Sequence, residues 1–172
     1  LPITVMTRKP RQTAMLTGVS TVHIFNTLAA GRVMKKSQLY ISGGGSLIQN
    51  ATSTRSLMYY LYSIRQAKRS GCAVMMYGCG IGPVLREKHW PLVARVLNRY
   101  VDVITLREPD SLEQLRLMGV SVPHIELTAD PALTLPPADA SRINSALLSA
   151  GIPVEGRYMA ISLRNWEGFE SR

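Results

Sequence analysis

The sequence predicts an α/β fold, a parallel sheet with helices on both faces. Three observations lead there. Short apolar runs rich in β-branched residues alternate with stretches of helical spacing along most of the chain. The connections between them are short, as in strand–helix–strand units. One run, from Ala73 to Tyr77, is continuously apolar, the pattern of a strand buried on both faces.

Each element has its own signal. Ile3 to Met6 reads as the first strand. Pro10 suits a first helical turn and Gly18 a helix stop. Thr21 to Phe25 is a second strand, and Thr27 to Lys36 a modest helix with Lys35 and Lys36 at its dipole-negative end. Leu39 to Ser42 is a third strand, followed at once by three glycines. The next helix runs from about Ser53 to Ser70, with Leu57, Leu61 and Ile64 on one stripe, and Gly71 stops it. After the strand from Ala73 to Tyr77, Pro91 opens a helix with a stripe of Leu92, Val93, Val96, Leu97 and Tyr100. Val101 to Leu106 is a strand. Asp110 or Ser111 is expected to cap a short helix carrying Leu112, Leu115 and Met118, ended by Gly119. Ile125 to Thr128 closes the block, which reads as a Rossmann-like domain over residues 1–135.

Pro136 and Pro137 then mark a hinge, since neither suits a helix interior or a central strand. A helix from Asp139 to Ala150, a stop at Gly151 and a strand from Tyr158 to Leu163 are expected beyond it. Residues 136–172 thus read as the opening of a second α/β domain. Leu1 in place of a start methionine, and an ending just past a strand, suggest a chain truncated at both ends.

Composition narrows the function. The 172 residues are 46% hydrophobic and 18% charged, enough for a buried core and against disorder. No apolar run is long enough to span a membrane. Cys72 and Cys79 have neither metal-knuckle nor redox-pair spacing, so two reduced thiols in a cytoplasmic protein are expected. Twenty Lys and Arg against eleven Asp and Glu leave a formal +9, which favours anionic partners. The basic residues form no block and the few aromatics no stacking platform, so nucleic acid is not expected as a partner. His23, His89 and His124 have no neighbouring carboxylate or metal spacing, and no metal or organic cofactor is expected.

In open parallel sheets, ligands bind beyond the carboxyl ends of the strands. After the third strand comes GGGSLIQNATSTRS, from Gly43 to Ser56. Its glycines allow close backbone approach to a polar ligand, and a helix N-terminus follows. A tight turn with unusual dihedrals is the plain alternative. After the fourth strand, GCGIGP places Gly78, Gly80 and Gly82 in a loop pressed against a ligand or against the first glycine turn. Arg107, after the fifth strand, is a candidate phosphate or carboxylate clamp, or a structural partner of Asp130 or Glu108. Asp130, after the sixth, suits sugar hydroxyls, or merely forms a turn. Arg164 follows the first strand of the second domain. No general acid or base is legible.

Taken in order, these motifs resemble the polysaccharide pyruvyl transferase family, most nearly its bacterial CsaB-like branch. The carrying segments are ISGGGSLIQNATSTRSLMYYL from Ile41, VMMYGCGIGPV from Val74, VLNRYVDVITLRE from Val96, LTADPAL from Leu127 and AISLRNW from Ala160. The family's opening strand and turn, of the kind GYYGFGNxGD, is absent, as is the bulk of its second domain. The resemblance implies one domain of a GT-B-like two-domain enzyme, and a fragment expected to be inactive alone. It implies transfer of the enolpyruvyl carbons of phosphoenolpyruvate, as a cyclic ketal, onto a sugar of a cell-wall polysaccharide precursor. In the CsaB-like branch that acceptor is lipid-linked and the product anchors surface-layer proteins. Work at the inner face of the membrane is therefore compatible with the reading, and so is an oligomer. The substrate-binding residues implied are Gly43, Gly44, Gly45, Ser46, Gln49, Arg55, Gly80, Arg107, Asp130 and Arg164. Two other readings stay open: another GT-B-like sugar enzyme using a nucleotide sugar, and a non-catalytic basic α/β binding module.

Overall fold

The computed structural model describes residues 2–50, 53–82, 84, 87–157 and 159–162. The chain divides into two compact units, Leu1–Leu133 and Thr134–Arg172.

The first unit is α/β with parallel strands throughout. It opens with β1 (Thr4–Thr7), α1 (Pro10–Thr17), β2 (Ser20–His23) and α2 (Thr27–Met34). Pro10 starts α1. Gly18 ends it with φ +68°, and its N–H donates to the Ala14 carbonyl. Asn26 caps α2, its Oδ1 accepting from Ala29 N–H at 3.0 Å. Then come β3 (Leu39–Gly43), β4 (Ser46–Ile48), α3 (Thr54–Arg69) and β5 (Ala73–Ile81). A short 3-10 turn (Glu87–His89) leads into α4 (Trp90–Tyr100), β6 (Val103–Leu106), α5 (Pro109–Leu117) and β7 (His124–Leu127).

The strands do not form the single sheet expected. β1 and β2 pair with each other, while β3, β5, β6 and β7 lie side by side in that order with β4 added beside the far end of β5. Sequential strands usually pair, but no ladder joins β1 or β2 to β3 among the described residues.

The core lies on one face of the larger sheet. Val74, Met76, Ile104 and Leu106 pack there with Leu57, Leu61 and Ile64 of α3, Val93 and Leu97 of α4 and Leu115 of α5. A strand order that advances in one direction, with crossovers of one hand, puts the connecting helices on the same side. The opposite face is open where helices were expected: Leu39, Ile41 and Tyr77 are 49%, 54% and 43% exposed.

At the amino-terminal edge of this sheet, Asp102 ties α3 to β5. Its carboxylate takes the Lys68 ammonium at 2.5 Å and the Val74 N–H at 2.7 Å. Burial opposes the charge, but the Lys68 and Val74 hydrogen bonds outweigh it and hold this carboxyl below the usual range.

A 3-10 turn at Pro131–Thr134 closes the first unit and enters the second, where α6 (Ala140–Ser149) is stopped by Gly151 with φ +71°. None of its side chains is buried. Residues 159–162 carry no strand. Tyr158 and Leu163, the ends of the strand expected there, lie outside the described residues.

Candidate functional site

The carboxyl-terminal edge of the five-stranded sheet gathers most of the polar residues singled out from the sequence. β3 and β5 are adjacent and parallel, with Gly43 opposite Tyr77. The chain then turns through Gly44 and Gly45, at φ +74° and +69°, values that glycine alone adopts at little cost. The turn stays laced to β5. Gly44 N–H donates to the Tyr77 carbonyl at 3.1 Å, and Gly80 N–H to the Gly45 carbonyl at 3.0 Å. Ser46 opens β4 and pairs with Gly80, and Gln49 follows that strand half-buried.

Gly78, Gly80 and their neighbours are not the loop expected. They continue β5 to Ile81, because the turn after β3 comes back as β4 and supplies them with a ladder. The glycines answer instead to what presses on them. A Cβ on Gly78 would stand 2.4 Å from Pro131 Cγ. A Cβ on Gly80 would stand 2.6 Å from Glu108 Oε1, 2.7 Å from Ser46 Oγ and 3.5 Å from Arg107 Nη2. A carboxylate, a hydroxyl and a guanidinium thus converge on one point above Gly80.

Arg107 and Asp130 meet each other, with Nη1 and Oδ2 2.9 Å apart. Asp130 also forms a turn, Oδ1 accepting from Ala132 N–H at 2.9 Å. The Ala132 hydrogen bond is the main cause that holds its carboxyl below the usual range; desolvation opposes it, and the Arg107 guanidinium adds to the lowering. Both plain alternatives for these residues, structural pair and turn former, are therefore realised at the sheet edge.

Neither Asp110 nor Ser111 caps α5, as the sequence suggested. Pro109 is the first helical residue, Glu108 holds the cap position, and Ser111 turns inward. Ser111 is fully buried; its Oγ accepts from Ile81 N–H at 2.7 Å and donates to Glu108 Oε1 at 3.0 Å. Glu108 is thereby aimed at Gly80, a role invisible in the sequence because it depends on contact between segments 28 residues apart. Thr105 likewise accepts from Gly78 N–H at 2.8 Å.

Arg55 lies exposed in the first turn of α3, and no described contact joins its side chain to this cluster. Arg164 lies outside the described residues. Cys79 is buried in β5, and burial pushes its thiol up to about 11 despite the Arg107 charge, so it is no nucleophile at neutral pH. His124 does have a carboxylate neighbour: Nε2 lies 2.7 Å from Glu126 Oε1, since alternate residues of a strand share a face. His23 Nδ1 accepts from Phe25 N–H, and His89 Nδ1 meets Asn50 Nδ2 at 3.1 Å. Among the described residues no group of three metal-ligating side chains occurs, and no helix is long and apolar enough to cross a membrane.

Adjacent parallel strands ending in a glycine turn, an arginine and two carboxylates define an α/β domain with a polar, ligand-type edge. The chain matches the family model of polysaccharide pyruvyl transferase over residues 3–171, and it belongs to that family. It is a member of a transferase family whose acceptors are sugars. No curated protein and no solved structure matches it.

Proposed function

We propose that the protein takes part in transfer of pyruvate from phosphoenolpyruvate onto two hydroxyls of one sugar in a cell-wall polysaccharide precursor, as a GT-B-like two-domain enzyme. The convergence of Arg107, Glu108, Ser46 and the glycine turn at one sheet edge is the observation that carries this reading. Phosphoenolpyruvate brings a phosphate and a carboxylate, which call for cationic groups, and the formal +9 of the chain suits such a substrate. Protonation of its methylene carbon makes an oxocarbenium-like centre. One hydroxyl adds to that centre, and a second displaces phosphate to close the ketal.

On this reading, residues 43–46, Gln49, Arg55, Gly80 and Asp130 serve the acceptor. Arg107 and Arg164 are the donor's cationic partners. The acceptor is a lipid-linked precursor met at the inner face of a membrane, and its product anchors surface-layer proteins.

The test is direct. The full-length enzyme that carries this chain is incubated with phosphoenolpyruvate and a panel of methyl hexopyranosides. Released phosphate is measured, and the ketal carbon is sought by NMR. Phosphate release coupled to ketal formation is the expected result. Nucleotide release from a nucleotide sugar, with phosphoenolpyruvate left intact, would replace this reading with that of a glycosyltransferase.

A further inference from the structure

We infer that Glu108 is the proton acceptor for a sugar hydroxyl at this edge, positioned by Ser111; the inference rests on the pyruvyl-transfer reading above. Three observations lead to it. First, the carboxylate is aimed by a hydroxyl that is itself held in place. Oε1 takes the Ser111 hydroxyl at 3.0 Å, and Ser111 is fixed in turn by Ile81 N–H at 2.7 Å. A side chain held only for helix capping would bond its own helix's amides. Glu108 sits at the cap position of α5 and makes no such bond. Second, Oε2 has no hydrogen-bond partner among the described residues, and Glu108 is only half-buried, so this oxygen is open to a ligand. Third, Glu108 Oε1, Ser46 Oγ and Arg107 Nη2 all lie within 3.5 Å of one point over Gly80, where any larger residue would push them apart.

A carboxylate that accepts, a hydroxyl that donates or accepts, and a guanidinium that only donates make a set complementary to a vicinal diol beside an anion. The proton accounting for ketal closure is simple. The acceptor O–H bond breaks and its proton passes to Glu108 Oε2. The oxygen's electron pair forms the new C–O bond. The old C–O pair departs with phosphate, toward the Arg107 guanidinium. Glu108 then returns its proton to solvent. No oxidant or metal is needed for the balance.

The experiment has two arms, both on the same full-length enzyme. In the first, phosphate release from phosphoenolpyruvate with the methyl hexopyranoside panel is followed for wild type, Glu108→Gln and Ser111→Ala. General-base catalysis is worth roughly 100- to 10,000-fold. Glu108→Gln, which keeps the shape and the Ser111 bond, is expected to lower kcat at least ~100-fold and to leave KM for phosphoenolpyruvate unchanged. It should also abolish the acidic limb of the kcat–pH profile. Ser111→Ala should lower kcat less and keep that limb. In the second arm, saturation-transfer NMR follows binding of the same hexosides. Wild type and Glu108→Gln should both bind, while Gly80→Ala, which displaces the carboxylate and Ser46, should not. Wild-type turnover in Glu108→Gln overturns the assignment. A wild type that binds hexosides, and loses them in Gly80→Ala, but releases no phosphate sinks the pyruvyl-transfer reading and keeps the hydroxyl site. A wild type that binds no hexoside sinks the hydroxyl site as well.

Discussion

Replacing Gly78 by alanine tests how the sheet edge is held together. Gly78 sits in β5 at φ +56°, a region that costs an L-residue about 1–2 kcal/mol. Its missing Cβ is occupied by the Pro131 ring, whose Cγ and Cδ would lie 2.4 and 2.5 Å away. A proline ring cannot swing aside as a long side chain can, so strand or turn must shift, at about 1–3 kcal/mol. The shift also strains the bond from Gly78 N–H to Thr105. The expected total is about 3 kcal/mol, or a melting temperature lower by about 6–12 °C for a chain of this size. Gly44→Ala is the control. It has a similar φ of +74° but open space at the Cβ position, so it should cost only the dihedral strain, about 1–2 kcal/mol. Urea melts of both variants, with matched m-values, supply the comparison. Equal destabilisation of the two, within about 0.5 kcal/mol, would refute the reasoning, because Pro131 would then not be held against β5.

Three further outcomes follow from named contacts. The Asp102 carboxyl is depressed in the folded state, so its contribution is present above the ordinary carboxylate range and lost as pH falls through its folded value. Wild type should exceed Asp102→Asn by up to about 1 kcal/mol at neutral pH. That difference should begin to shrink near about pH 4, the ordinary carboxylate value, and vanish only below the depressed folded value, in denaturant melts taken across pH. Cys79, with its buried thiol raised to about 11, should resist iodoacetamide at pH 8 in the native protein and react fully in urea, as mass spectrometry would read. Amides of α6, which buries no side chain, should exchange faster than those of α3, whose Leu57 and Ile64 are fully buried; equal protection would contradict the observed packing.

The sequence was informative where one physical signal acted alone. Pro10, Gly18 and Gly119 stand at helix ends as local rules require. The stripe of Leu57, Leu61 and Ile64 is buried as its period indicated. It misled where two signals competed. Gly78 and Gly80 read as a loop pressed against a ligand or the first glycine turn, yet they lie inside β5, approached by Pro131 in one case and by Glu108 with Ser46 in the other. β4 was missed because three residues carry no periodicity, and its strand character comes from the β5 extension beside it. The open sheet face was missed because helix placement depends on strand order, which the sequence leaves free. Arg107 and Asp130 were each picked out, but not Ser111, whose contact with Glu108 matters only because Ile81 N–H fixes it from another strand.

The parallel strands separate the two ends of the sheet in a way useful to the experimenter. Along β5, Ala73 and Ile81 stand about 26 Å apart at the usual strand rise. The glycine turn, Arg107 and Glu108 lie at one end, while the Lys68–Asp102 tie and the turn before β7 lie at the other. Val122 in that turn is 69% exposed, and both native cysteines are buried. A single cysteine introduced at Val122 would therefore accept a fluorophore or a surface tether selectively. The protein could be immobilised by that end with the carboxyl-terminal edge of the sheet left open to solution.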